Sequence, residues 1–257
     1  QMGALSSAQV GALTTSQVAA LTEAQVGGMG TAQLAGLTSG QFAAMNEGQI
    51  QSLSTAEVAT LGTAQVNTLS TGALASFTAA QVTALGTAQV SAMTTTQLNA
   101  LSEDQVLALG TEDVAALTTS QVSGLSNAKV TALSSAQVKA LTTTQLQAMS
   151  SSQINALDAD DISAMSTSQI AGLSTLQVNK LSNNALEALT TAQLAGMGTS
   201  QVAAFGTGQI EQLSVAPQLS LFRVANTSLT SGNLQSWMSG NSSGVIAIDA
   251  INLANPI

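Results

Sequence analysis

Leu189-Thr190-Thr191-Ala192-Gln193-Leu194 is the stretch whose reading decides the fold. It is one copy of an eight-residue unit that runs without insertion from Ala4 to Glu211, 26 units in all. Counting from Ala4, position 1 is nearly always small and position 2 is Leu, Met or Phe. Position 3 is Ser, Thr, Gly, Asn or Asp, position 6 is usually Gln, and position 7 is Val, Leu, Ile or Phe. Positions 2 and 7 are large and apolar in every unit, and position 6 is Gln in 20 of 26.

One continuous helix cannot carry this pattern. At about 100° per residue the apolar pair rotates by about 80° every unit and leaves no stripe to bury. A β-solenoid is the second reading. An even period would keep each position on one face, but positions 2 and 7 would then point to opposite sides. A unit rich in Ala and Gln and nearly free of aromatics also suits a pleated sheet poorly. The third reading, a short helix broken once per unit, gives every position a role. The position-3 hydroxyl caps the helix N-terminus, and the Gln three residues later reaches back to the cap residue's own N–H, completing a capping box. Position 2 and position 7 become the hydrophobic staple. Leu13-Thr14-Thr15-Ser16-Gln17-Val18 meets all four requirements, as does the stretch at 189–194. The exceptions at position 6 are Glu57, Ala73, Asp113, Lys129, Asp161 and Ala185, and the three acids among them can still accept the cap N–H. Gly takes position 3 at 30, 62, 86, 110, 198 and 206, where it is a tolerated cap.

A helix of six or seven residues does not stand alone, because nucleation costs more than one turn returns. Each unit must bury its Leu and Val on its neighbours, which is the logic of a solenoid. The expected fold is therefore an all-α repeat, a narrow α-solenoid of 26 short capped helices. Small residues at position 1 let adjacent backbones approach closely; where they become Ser52, Thr60, Thr68 and Ser76 the packing is expected to loosen slightly. With two units per coil the array would make a rod on the order of 100 Å long at about 8–10 Å between helices. The pattern leaves open whether a coil takes two units, three or more.

The organisation that follows is a short lead-in at 1–3, the solenoid at 4–217 and a tail at 218–257. Pro217 stands where the capping Gln would, and it lacks an N–H. In the tail, 239–244 reads as a loop and 245–253, rich in β-branched residues, as a strand. A solenoid end exposes an apolar layer and needs a cap. Phe222, Arg223, Trp237, Ile246, Ile248 and Ile251 are the candidates, either capping their own chain or joining one subunit to the next. A joint of the second kind is heterologous, and heterologous contacts that do not close build filaments.

Composition narrows the chemistry. There is no Cys and no His, so thiol chemistry, disulfides and histidine-based catalysis or metal binding are absent. Four basic against 13 acidic residues give a net charge of −9, which repels nucleic acid and anionic membranes. No apolar run reaches the ~18 residues of a membrane span. The Ser and Thr residues read as caps and solvated surface, with no phosphate-binding loop, and no cofactor is expected. Asp158, Asp160 and Asp161 are the only metal candidates, for a weak Ca²⁺ site, but they lack the spacing and closing Glu of a calcium loop. Asp158 falls instead on the cap position and Asp161 on the capping-box position. Ordering of ice by the threonine rows is a further alternative.

The octad resembles the Ala-Leu-Thr-Thr-Ala-Gln-Val/Ile units arrayed in large secreted or surface-attached bacterial proteins of adhesin-like type. Ala140-Leu141-Thr142-Thr143-Thr144-Gln145-Leu146 and Ala188-Leu189-Thr190-Thr191-Ala192-Gln193-Leu194 carry the resemblance, which excludes the tail. It implies an extracellular spacer or fibre rather than an enzyme. The opening also echoes the Leu-Thr-Pro-x-Gln-Val of TAL-effector repeats, though those are longer and basic, and only the capping device is shared. The expectation is an extracellular or cell-surface structural subunit whose partner is itself, through the solenoid ends and the tail. The alternatives are a monomeric stalk of a larger adhesin, and a module that binds ice or Ca²⁺.

Overall fold

The computed structural model describes residues 2–206 together with 209, 221 and 224. Among them lie 25 α-helices of four to six residues, from Ser7–Gly11 to Thr199–Ala203, preceded by a 3₁₀ turn at Met2–Ala4, and no strand. The broken-helix reading is therefore the one that holds, with helices slightly shorter than the pattern suggests. The strand expected at 245–253 lies outside the described residues.

Each helix begins at position 4 of its octad and ends at position 7, at position 8 or at position 1 of the next. The N-cap at position 3 is extended, as at Thr14 (φ −75°, ψ 158°), and the C-cap at position 1 of the next octad stays near helical values, as at Ala20 (φ −85°, ψ −7°). No residue in the described chain adopts positive φ. The helix is ended without a left-handed glycine: the position-2 N–H turns back onto the position-7 carbonyl, Leu21 donating to Val18 at 3.2 Å. The chain then extends into the next cap. In the longer helices, such as Glu103–Ala108, the position-2 residue Leu109 is itself extended (φ −64°, ψ 135°).

The chain divides into two compact units, Gln1–Leu133 and Ser134–Ile257. Within the first, Ser7–Gly11 packs on Thr31–Ala35, Ser39–Ala43 on Thr63–Thr68, and Thr87–Ala92 on Thr111–Ala116. Within the second, Ser135–Ala140 packs on Ala159–Ala164, Thr143–Ala148 on Thr167–Gly172, and Thr175–Asn179 on Thr199–Ala203. Every one of these partners lies three helices on, so a coil takes three octads. This settles the number the pattern left open, and excludes the two-unit coil.

The core is built from positions 2 and 7. Val10, Val18, Leu34, Phe42, Ile50 and Ile154 are completely buried, and the staple residues Leu37, Leu53 and Leu189 nearly so. Position 1 brings coils together. The α-carbon of Gly36 comes so close to the carbonyl oxygen of Ser7, in the coil before, that a methyl group there would sit 2.8 Å from it. Where position 1 is Ser or Thr, the hydroxyl is absorbed locally. Ser52 donates to the carbonyl of Gln49 and Thr60 to that of Glu57, each at 2.8 Å. Ser76 reaches both Ala73 (2.7 Å) and Glu47 of the preceding coil (3.4 Å).

Candidate functional site

The side chain that recurs most often, Gln at position 6, has two jobs. Its first is the expected one. The Oε1 of Gln97 accepts from the N–H of Thr94 at 2.7 Å while the Thr94 hydroxyl accepts from the N–H of Gln97 at 3.1 Å. The same reciprocal pair recurs at Ser102 and Gln105, Ser166 and Gln169, and Thr190 and Gln193. Where Gly stands at the cap, half of the box survives: Gly86 N–H donates to Gln89 Oε1 at 2.7 Å, and the N–H of Gln89 falls back on the Gly86 carbonyl at 2.9 Å.

The second job was missed by the reading of the octad alone. The Nε2 of the same Gln donates to two backbone carbonyls of the preceding coil, 31 and 28 residues earlier. Gln89 reaches Val58 and Leu61 at 2.9 and 2.8 Å, and Gln97 reaches Val66 and Leu69 at 3.0 and 2.8 Å. In the second unit Gln177 reaches Leu146 and Met149, both at 2.8 Å, and Gln193 reaches Ile162 and Met165 at 2.8 and 2.7 Å. Those carbonyls lie at the ends of helices of little more than one turn, where the position-7 carbonyl also takes the position-2 N–H and the amide adds a second donor. Within each compact unit the amides of one coil thus bond the coil before it, and they do so buried: Gln49 has no exposed surface at all. The signal for this was the preference for Gln over Glu. A capping box accepts either, but only the amide can also donate.

The exceptions follow from this. Lys129 keeps the donor, its ammonium bonding the carbonyl of Leu101, and gives up the cap acceptor. Ala73 and Ala185 give up both and leave only the hydroxyls of Ser70 and Ser182 as caps. Glu57 keeps the cap, accepting from Ser54 N–H at 2.6 Å, but has no proton with which to reach the previous coil when ionised. Asp113, nearly buried, accepts from Gly110 N–H at 3.0 Å. Burial pushes its carboxyl above the usual aspartate range, the Gly110 bond opposes this, and the Glu112 charge adds to it.

Asp158 and Asp161 occupy the cap and capping-box positions as expected. Asp161 N–H donates to Asp158 at 2.8 Å and Asp158 N–H to Asp161 at 3.2 Å. Asp161 is buried, and burial raises its pKa; the bonds from Asp158 N–H and the Ser135 hydroxyl lower it, while the Asp158 and Asp160 charges raise it. Asp160 is exposed on the first helical turn and lines an open cleft with Asp158, Ala159, Ser182 and Asn184. Among the described residues no group of three or more acidic side chains is placed to hold a metal ion. Phe222, Arg223, Trp237, Ile246, Ile248 and Ile251 lie outside the described residues. No helix among the described residues is long and apolar enough to cross a membrane.

The first coil differs from the rest. Gln9, Gln17 and Gln25 form their capping boxes and are exposed, and among the described residues no acceptor meets their Nε2. Leu5, Leu13 and Leu21, whose counterparts in inner coils are buried, are only half-buried. Met2–Ala4 covers part of this edge by filling positions 7, 8 and 1 of the octad frame. The Met2 carbonyl accepts from Gln33 Nε2 at 2.8 Å, as a position-7 carbonyl does.

No curated protein and no solved structure matches the chain. A family profile described as the ALTTAQ repeat matches at residues 1–23, 58–95, 77–111, 106–143, 130–167 and 178–215. These segments span the greater part of the chain and both compact units, and the hydrogen bonds above account for the Thr and Gln of the motif. The chain belongs to the ALTTAQ repeat family.

Proposed function

We propose that this chain is an extracellular structural protein, a solenoid subunit that assembles end to end into a surface filament or matrix fibre. The observation that supports the reading most is the use of the Gln amide. The one polar side chain that the repeat carries almost throughout is engaged in holding a coil to the coil before it, and the threonines and serines beside it are engaged as caps. Such a unit is selected for stacking, and its stacking surface is the same at every step. A heterologous contact between two ends that does not close propagates without limit. The acidic, cation-poor surface and the resemblance to arrays in secreted proteins support the location.

Negative-stain microscopy of the purified 257-residue protein tests it. Long fibres of uniform width are the expected result. Isolated particles at every concentration would remove assembly and leave the monomeric stalk of a larger adhesin.

A further inference from the structure

Three octads carry an acid where the repeat carries Gln, and at Asp113 this leaves a gap lined by oxygens alone. Gln89 and Gln97 each fill the corresponding gap with an Nε2 that donates to carbonyls 31 and 28 residues earlier. For Asp113 those carbonyls belong to Val82 and Leu85, in the coil before, where Thr87–Ala92 packs on Thr111–Ala116. The Val82 carbonyl takes the N–H of Leu85 at 3.0 Å, but the Leu85 carbonyl meets no donor among the described residues. Asp113 is 6% exposed. One of its oxygens accepts from Gly110 N–H at 3.0 Å, and the other has no partner among the described residues. Aspartate is one methylene shorter than Gln and, when ionised, can only accept, so nothing in the chain supplies the missing donor.

The gap is reachable from solvent. Leu85, Glu112 and Asp113 line one open cleft, together with Thr87, Thr111 and the glycines of two successive caps, Gly86 and Gly110. A methyl group at Gly110 would sit 3.0 Å from an Asp113 oxygen, so a side chain at that cap would crowd the carboxylate. Burial, and after it the charge of Glu112, disfavour the ionised form of Asp113, and neither acid forms an ion pair among the described residues. The same octad position shows that a positive charge fits in place of the amide: the Lys129 ammonium bonds the Leu101 carbonyl, 28 residues earlier.

We infer that Asp113, Glu112 and the Leu85 carbonyl bind Ca²⁺ in this cleft, with the Thr87 and Thr111 hydroxyls and water completing its shell. Ca²⁺ takes six to eight carboxylate, carbonyl and water oxygens in flexible geometry, at about 2.3–2.6 Å. With two carboxylates the affinity belongs to the weak class, a Kd on the order of 1 mM. Mg²⁺ demands a near-ideal octahedron and dehydrates reluctantly, so it binds more weakly here. The bound ion ties two coils together as the Gln amide does elsewhere. The site is distinct from the cleft at Asp158 and Asp160 and independent of end-to-end assembly.

Equilibrium dialysis of the full chain against calcium chloride, with potassium chloride holding the ionic strength constant, tests the site. Asp113→Asn should bind about one ion fewer per chain than wild type, and Glu112→Gln should weaken that ion about 10-fold through the lost ligand charge. Asp160→Asn should bind as wild type does. In thermal melts, about 10 mM calcium chloride should raise the Tm of wild type by about 3–5 °C and that of Asp113→Asn by less than about 1 °C. Glu112 is exposed, so Glu112→Gln carries the test even if Asp113→Asn folds poorly. A wild type that binds no ion would overturn the site. So would Asp113→Asn and Glu112→Gln variants that bind and shift as wild type does, or a loss confined to Asp160→Asn.

Discussion

The side-chain amide of Gln97 donates to the carbonyl of Leu69, 28 residues earlier, at 2.8 Å, and to that of Val66 at 3.0 Å. This is a contact between coils made by a residue whose visible duty is local. Replacing it with Glu leaves the capping box to Thr94 intact and removes only the donor. The Leu69 carbonyl loses the amide, the Val66 carbonyl is left with the Leu69 N–H alone, and a carboxylate is set against both. A buried unsatisfied group costs about 1–3 kcal/mol, more when charged, so Gln97→Glu should destabilise by about 2–4 kcal/mol in urea denaturation at pH 7. A change under about 0.5 kcal/mol would mean that the amide contributes only as a cap.

The opposite substitution makes the complementary case. Glu57 caps Ser54 but stands where a Gln would donate to Val26 and Met29. Glu57→Gln supplies that proton in a site already shaped for it. The gain should be about 0.5–1.5 kcal/mol, the net value of an added hydrogen bond, read as a raised urea midpoint at unchanged m-value. A destabilised variant would show that the carboxylate has a partner of its own there.

Much of the architecture was legible in single octads. The staple, the cap and the reciprocal Gln are all separated by five residues or fewer, and Thr14 and Gln17 form in the structure the box their spacing announces. The coil size was not legible, because nothing within eight residues depends on it: two-, three- or four-octad coils would all bury positions 2 and 7. It becomes visible in pairs such as Gln97 and Leu69, whose separation is three octads plus the step from position 2 to position 6. The preference for Gln over Glu pointed to a second, donating partner without saying where it lay. Pairs such as Asn67, whose side chain donates to Ala92 at 2.7 Å, repeat the lesson, since Asn at position 8 has no partner in its own octad.

Leu133 tests the assignment of position 2 to the core. It is 7% exposed and lines a small apolar void with Leu101, Leu109, Leu117 and Leu125. Leu133→Ala should cost about 2–5 kcal/mol, the range for a buried large-to-small change. A loss below about 1 kcal/mol would mean that the site collapses freely or that the side chain faces solvent.

Two buried aspartates make stability depend on pH with a definite sign. Burial raises the pKa of both Asp113 and Asp161 above the value they have in the unfolded chain. The folded state therefore binds their protons more tightly. Their contribution favours folding most fully below the ordinary aspartate value of 3.8 and is lost as pH rises through the raised folded values. Melting followed by circular dichroism between pH 4 and pH 8 should show Tm falling with pH. The double variant Asp113→Asn, Asp161→Asn should flatten that fall, which separates these two groups from the general repulsion of an acidic chain. An identical slope in the variant would assign the whole effect to net charge.

Glycines at different positions of one octad should respond oppositely to alanine. Gly40 lies inside the helix Ser39–Ala43, with nothing within 4 Å of where a methyl group would go. Gly40→Ala removes backbone freedom from the unfolded chain and should stabilise by about 0.4–1 kcal/mol. Gly36 sits at position 1 against the preceding coil. A methyl group there would lie 2.8 Å from the Ser7 carbonyl oxygen and 3.2 Å from its Cβ, so backbone rather than a flexible tip must move. Gly36→Ala should therefore destabilise by about 1–3 kcal/mol, as overpacking does. Since other coils carry Ala at position 1, the penalty tests whether the spacing of this one coil is fixed by its glycines. If Gly36→Ala were neutral, the coils could slide apart by a few tenths of an ångström at no cost, and close approach at position 1 would be tolerated rather than required.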